Sequence, residues 1–140
     1  DLSTRLGPEV LVAEMAHEGI EMLLGARRDP QFGPVVIIGF GGVYAEVLQD
    51  VSFLLPPFDA TAAKRHLDRL RLRPLLDGAR GKPAANVDGF CEMAAAFSAM
   101  IHALADVVAE VDVNPVIVTD TCAVAVDALV ITENPQGETP

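Results

Sequence analysis

The sequence is short of positive charge: ten Lys and Arg side chains stand against twenty Asp and Glu, a formal charge of −10 over 140 residues. Binding a nucleic-acid backbone needs a concentrated basic surface, so no nucleic-acid partner is expected. The deficit does not exclude a phosphorylated small molecule, which needs only one local site, often supplied with a metal ion. Cysteine is also scarce. Cys91 and Cys122 sit in apolar stretches with no CxxC and no paired-histidine spacing, which predicts reduced, buried thiols in a cytoplasmic protein and not a metal or redox pair. No leader with a basic start, apolar core and small-residue cleavage site opens the chain, so secretion is unsupported. A long uncharged apolar run is missing too. The most membrane-like stretch, "FCEMAAAFSAMIHALADVVAEV", carries Glu92, His102, Asp106 and Glu110 at near-helical spacing, with Phe90, Met93, Phe97, Ile101 and Leu104 on the other side. That pattern is a globular amphipathic helix and not a membrane span.

Several catalytic signatures are absent. "GFGGVY" is not a dinucleotide fingerprint, because Tyr44 stands where GxGxxG needs its last glycine, and the chain has no GKS or GKT. His17, His66 and His102 share no metal or relay spacing, none sits in a phosphohistidine context, and no Ser-His-Asp or Cys-His arrangement stands out. His66 and His102 fall on expected helices as surface or boundary residues, and His17 falls in an exposed loop.

What is there is half hydrophobic, with almost no aromatics, and long enough for one domain with a core of its own. Residues 9–16 and 20–28 read as two strands around a polar turn at His17 to Gly19. "GPVVIIGF", residues 33–40, is too apolar and β-branched to be anything but a buried strand. A Gly-Gly break and one or two further strands lead to Pro56-Pro57. Asp59 then caps a helix over about residues 60–72, with Ala63, Leu67 and Leu70 as its apolar stripe. A loop rich in Pro, Gly and charge follows. Asp88 is the expected cap of a long helix running to about Val108. A final hairpin closes the fold, and residues 132–140 are expected to form a flexible, disordered tail. Strands arrive as hairpin neighbours and helices arrive late. The expected fold class is α+β, a mainly antiparallel sheet with two packed helices, in one domain over residues 9–131 behind a leading segment 1–8.

The hairpin "EVDVNPVIVTDTCAVAVDALVI" holds polar residues where burial would prefer none. A turn centred on Asp120-Thr121 places Asn114 opposite Asp127, and alternation puts Asp112 on the same face. One amide oxygen and two carboxylates then share a face of an apolar ribbon. Hard divalent cations favour such all-oxygen sets, Mg²⁺ in particular completing its shell with phosphates and water. Spacing alone leaves open the plainer reading, a solvated edge hairpin with Asn-Pro making a local bend, since a one-residue slip reverses the face.

"DVNP" followed a dozen residues later by "AVDA" resembles the metal-binding end of the ATP-grasp fold in nucleoside-diphosphate-forming acyl-CoA synthetases and their succinyl-CoA synthetase relatives. The stretch "VLVAEMAHEGIEMLLGARRDPQFGPVVIIGFGGVYAEVLQDVSFLLPPF" is similar to the corresponding family segment in the same order, so the resemblance covers nearly residues 8–131. It implies that Asn114 and Asp127 hold Mg²⁺. It implies that Glu14, Met15 and Ala16 belong to the hinge that contacts adenine, and that Glu21 helps hold the nucleotide at the ribose. The family often has Gln where this chain has Ala13, a change of little weight where recognition is through backbone groups. The resemblance also turns Gly41 and Gly42 from an ordinary turn into candidates for lining the nucleotide phosphates or the mobile phosphoryl-carrying segment. Asp112 is then a supporting acid. Of Arg27 and Arg28, strand alternation lets one face a cleft as a phosphate donor, and Arg28 is the choice, against the simpler solvated strand end.

Beyond single residues, the resemblance implies the second half of an ATP-grasp clamp. Its partners are the N-terminal subdomain, which brings the phosphate-neutralising lysines, and the CoA-binding domains or subunit of the same enzyme. The implied reaction takes an acid, ATP and CoA to acyl-CoA, ADP and phosphate, with Mg²⁺ and ATP/ADP as cofactors, and half a clamp alone is expected to be inactive. A different class of function also fits: a non-catalytic region sensing nucleotide or acyl-CoA in a regulatory or acetyltransferase fusion protein. A plain scaffold domain is the third reading. It expects alanine at Asn114 and Asp127 to change stability little and no nucleotide effect to be lost.

Overall fold

The computed structural model describes residues 13–42, 47–78 and 81–133. Six strands form one sheet: β1 (Ile20–Asp29), β2 (Gly33–Phe40), β3 (Val51–Leu54), β4 (Val108–Val118), β5 (Ala123–Ala125) and β6 (Ala128–Thr132). Their order is β3-β2-β1-β4-β5, with β6 also pairing β4, and every ladder is antiparallel. Between β3 and β4 the chain makes α1 (Ala60–Leu67), a 3₁₀ turn (Arg73–Asp77) and α2 (Val87–Ala103). This is the α+β sheet with two helices that the hairpin order predicts.

One face of the sheet carries the core. Met22, Leu24 and Ala26 of β1, Val36, Ile38 and Phe40 of β2, and Val111, Val113, Val116 and Val118 of β4 are buried with Ala63 and Leu67 of α1 and Phe90, Cys91, Ala94, Phe97 and Ile101 of α2. Period-two burial in the strands and helical spacing in α2 produce that layer. On the opposite face no helix packs among the described residues, and Glu21, Leu23, Asp112 and Ile117 there are partly buried or exposed.

Several boundaries differ from the sequence reading. Residues 13–16 form no strand, so the expected first strand is not present over its described part, and residues 9–12 lie outside the described residues. The α1 helix ends at Leu67 and not near 72, because Asp68 closes it and a run of turns carries the last stripe residue, Leu70, into the core. Asn86, not Asp88, caps α2: its Oδ1 accepts from Gly89 N at 2.9 Å, while Asp88 lies in the first turn and pairs with Lys64 at 3.6 Å. That helix stops at Ala103, leaving Leu104 exposed and Val108 free to begin β4. Thr132 belongs to β6 and not to a tail, and the next residue, Glu133, donates its N–H to Val107 O. Residues 134–140 of the expected tail lie outside the described residues.

Two buried polar side chains join layers. Asp50, 5% exposed, accepts from the backbone N–H groups of Arg71 (3.1 Å) and Leu72 (2.8 Å), tying the start of β3 to the turns after α1. Ser98 Oγ in α2 accepts from Phe58 N at 3.1 Å. Removing the Asp50 carboxylate strands two amide donors, so Asp50→Ala is expected to destabilise the fold by about 2–4 kcal/mol in urea unfolding.

At the α1 edge, His66 Nδ1 lies 2.7 Å from Ser52 Oγ of β3. Partial burial, helped by Arg69 and Arg65, lowers the His66 pKa below its ordinary 6.5. The unfolded chain therefore takes up a proton there first as pH falls. Stability should decline below about pH 6.5 through this residue, and His66→Gln should flatten that part of the stability–pH curve.

Candidate functional site

The sequence-predicted residues meet where β1 begins, β2 ends and β4 is interrupted. Met22 of β1 pairs Val116 of β4 and Leu24 pairs Val113, so Asn114 and Pro115 together stand against Leu23 alone. The bulge, which contains a cis Asn114-Pro115 peptide, resets the alternation. Val113 and Val116 both stay in the core although they are three apart, and Asn114 remains on the helix-free face with Asp112.

Across the hairpin the register is the expected one. Val118↔Ala123, Ile117↔Val124 and Val116↔Ala125 lie on one side, and Val113↔Ala128, Asp112↔Leu129 and Val111↔Val130 on the other. Val126 N donates to Pro115 O at 3.0 Å between them, so Asn114 and Asp127 stand opposite each other. Both are exposed, and Asp127 Oδ1 accepts its neighbour's N–H, from Ala128, at 2.8 Å. The second strand of the hairpin is split into β5 and β6 at Val126-Asp127, a break not expected from the sequence.

The Gly-Gly pair completes this end of the sheet. Gly41 N donates to Glu21 O at 2.8 Å. A Cβ on Gly41 would lie 2.8 Å from Met22 O and 3.0 Å from Asn114 Oδ1, so only glycine lets the chain pass this close to the amide. Gly42 has φ of +59°, and a Cβ there would overlap the Glu21 carboxylate. Glu21, Gly41, Gly42 and Asn114 are therefore brought together, with Asp127 across the strand.

Next to this cluster a cavity of about 300 Å³ lies between residues 13–17 and the hairpin. Glu14, Met15 and Ala16 form one wall; Ile117, Thr119, Cys122 and Val124 form the other. Its size is at the lower end for small-molecule sites, with apolar side chains on one side and an unpaired backbone on the other. Cys122, expected buried, is exposed here, whereas Cys91 is buried and its thiol is pushed up to about 11, chiefly by that burial. Thr119 and Cys122 are site residues that the sequence reading missed. The signal was a Thr two and three residues ahead of the N–H groups its hydroxyl accepts, a turn-forming pattern.

Arg28 does not join the site. It lies seven residues from Glu21 on the same strand, about 23 Å away at strand rise, and pairs with Glu133 at 2.9 Å and Asp106 at 3.7 Å. The depression beside it is about 10 Å³, room for one water. Asp112 shares the face with Asn114 but is one strand pair further from Gly41, opposite Gly25 and Leu129. Among the described residues no three His, Cys, Asp or Glu side chains cluster as a metal site, and no helix is long and apolar enough to cross a membrane.

Comparison with known proteins follows the same lines. A family model described as the ATP-grasp domain matches residues 5–132, and the chain belongs to that family. A trans-feruloyl-CoA synthase from an unknown prokaryotic organism is 42% identical over 126 residues, covering 89% of this chain and 18% of that protein. The beta subunit of ADP-forming acetate–CoA ligase II from Pyrococcus furiosus is 36% identical over 124 residues, covering 87% and 52%. The chain thus spans about half of that subunit and under a fifth of the feruloyl-CoA synthase.

Among solved structures, a Candidatus Korarchaeum cryptofilum acetyl-coenzyme A synthetase in complex with coenzyme A and Mg-AMPPCP aligns with TM-score 0.77 at 35% identity, covering 84% of this chain and 55% of that one. A protein from Pyrococcus horikoshii aligns with TM-score 0.80 at 33% identity, covering 94% and 58%. The sheet with its two helices is that of part of the ATP-grasp domain in these enzymes.

The contrast between the two thiols is directly measurable. Iodoacetamide is expected to modify Cys122 in the native protein at neutral pH and to leave Cys91 unmodified until the chain is unfolded, read by peptide mass. Modification of Cys91 at a comparable rate would contradict the packing of α2.

Proposed function

We propose that this chain supplies the nucleotide- and Mg²⁺-binding half of the ATP-grasp clamp in an ADP-forming acyl-CoA synthetase, which converts an acid, ATP and CoA to acyl-CoA, ADP and phosphate. The observation that carries this reading is the convergence of Glu21, the Gly41-Gly42 pair and the Asn114–Asp127 pair beside the hinge cavity, on the sheet face opposite the two described helices. The relatives support it: an ADP-forming acetate–CoA ligase subunit, and an acetyl-coenzyme A synthetase solved in complex with coenzyme A and Mg-AMPPCP.

Each residue has a task that its position suits. Backbone groups of Glu14, Met15 and Ala16, unpaired in any ladder, meet the edge of the base, while Ile117 and Val124 cover its flat face. The Glu21 carboxylate accepts from the ribose hydroxyls. Gly41 and Gly42, lacking side chains beside Asn114 and Glu21, let phosphate oxygens approach the backbone.

The donor set fits Mg²⁺: an amide oxygen and a carboxylate, both on exposed side chains, with the remaining positions left to phosphates and water. When bound, the ion neutralises charge on the phosphates as the terminal phosphoryl group moves. Asn114 Oδ1 and Asp127 hold it, and Asp112 adds negative charge one strand pair away. The N-terminal subdomain and the CoA-binding domains or subunit complete the enzyme, in which the phosphoryl group travels on a histidine of another region.

The test is NMR on isotope-labelled protein titrated with a trace of Mn²⁺, with and without ADP. Broadening is expected at the Asn114 side-chain amide and at residues flanking Asp127, strengthened by ADP. Asp127→Ala should weaken metal–ADP binding by roughly tenfold or more. A folded chain, assayed together with the subdomain proposed to complete it, that shows no such broadening would remove the metal role from this hairpin.

A further inference from the structure

The outer wall of the hinge cavity is the tip of a β-hairpin, an element that is ordinarily among the more mobile parts of a fold. Here it is fastened on two levels. Within the turn, Thr119 Oγ1 accepts from Thr121 N at 3.2 Å and from Cys122 N at 3.1 Å, and Thr119 N donates to Cys122 O at 2.8 Å. From outside, Asn86 grips the same turn twice. Its N–H donates to Thr119 O at 2.7 Å and its Nδ2 donates to Thr121 O at 2.9 Å.

The remaining polar atom of the Asn86 side chain, Oδ1, is the N-cap of α2. That helix is anchored in the core by Val87, Phe90, Cys91 and Ala94. One side chain thus links a core helix to the turn that carries Cys122 into the cavity wall, and every polar atom of the Asn86 amide is committed to that link.

We infer that Asn86 and Thr119 are positioning residues that hold the 119–122 turn in place as a preformed wall for the flat ligand of the hinge cavity, which on the reading above is the base of an adenine nucleotide. Neither residue lies within the hinge or the metal hairpin pair, and Asn86 does not line the cavity. Their effect is on the ordering cost of binding: a wall already fixed loses less freedom when the ligand arrives.

Asn86→Asp separates this role from helix capping, because aspartate is an equally good N-cap but cannot donate to Thr121 O. Thr119→Val removes the hydroxyl at nearly constant shape, and Thr119→Ser restores it. Two readouts are taken on the full chain: the rate at which iodoacetamide modifies Cys122 without nucleotide, and the dissociation constant for ADP.

Asn86→Asp and Thr119→Val are expected to change the Cys122 rate several-fold and to weaken ADP by about five- to tenfold, the worth of one lost hydrogen bond. Thermal unfolding should stay near that of the parent, and Thr119→Ser should restore both readouts. Folded Asn86→Asp and Thr119→Val proteins with unchanged Cys122 reactivity and unchanged ADP affinity would overturn the inference. If the parent chain, assayed together with the subdomain proposed to complete it, binds no ADP while the Cys122 rate still responds to both substitutions and is restored by serine, the nucleotide reading fails and the positioning of the wall stands.

Discussion

The arrangement of the site depends on one irregularity in the central ladder, the place where Asn114 and Pro115 of β4 face Leu23 of β1. Without the extra residue, strict alternation would put Val113 and Val116 on opposite faces, and β4 would have to expose one end of its apolar set. With it, Val111, Val113, Val116 and Val118 all reach the core, and the strand stays paired with β1 for nearly its whole length. The bulge thus reconciles two demands on one strand: a continuous buried face and an amide presented outward beside Gly41. A shift of one residue in this ladder would move Asn114 away from Gly41 and Asp127 together, which is why the β4–β6 register matters as much as the identity of the two residues.

The polar anchors explain how a sheet whose two described helices pack on one side keeps its other side in shape. Asp50 secures the start of β3 to the turns after α1, Ser98 secures the approach to α1, and Asn86 secures the hairpin tip to α2. Asp50 and Ser98 act through part-buried backbone groups that would otherwise lack partners, so each contributes mostly by the penalty its loss would expose, since a satisfied hydrogen bond adds only about 1 kcal/mol net. Thr121, which the Asn86 side chain holds, is open to water, so that bond fixes position more than it adds stability. They fix loops to helices, and the helices rest on the core. The open side gains its geometry from contacts made on the other side of the sheet.

Legibility from the sequence divides along this same line. The strands with strong apolar patterns, "GPVVIIGF" above all, the Asp59 cap and the hairpin register were readable because each rests on local periodicity or turn chemistry. The pairing of Asn114 with Asp127 followed from that register, and the family likeness gave it a meaning that spacing alone did not. What was not readable was set by partners distant in sequence. Residues 13–16 are apolar enough for a strand, yet no neighbouring strand pairs with them. Asn86 outcompeted Asp88 as a cap because the same side chain also serves the 119–121 turn, 35 residues away in sequence. Arg28 looked available for phosphate because its acidic partners, Asp106 and Glu133, lie far along the chain. Cys122 sits in an apolar run but at an exposed turn, where it lines the cavity while the next residue, Ala123, packs against the core.

The choice of an amide at position 114 has its own physical logic on the proposed reading. Directly opposed residues in an antiparallel pair have Cβ atoms about 4.5–5.5 Å apart. Two carboxylates at that spacing would repel each other whenever no metal was bound, on a chain already carrying a formal charge of −10. A neutral Asn114 facing Asp127 avoids that cost and still offers an oxygen. The price is weak affinity for a bare ion. A nucleotide carries the missing negative oxygens on its phosphates, so metal and nucleotide should bind together more strongly than either alone, and the site needs no dedicated cage of protein ligands.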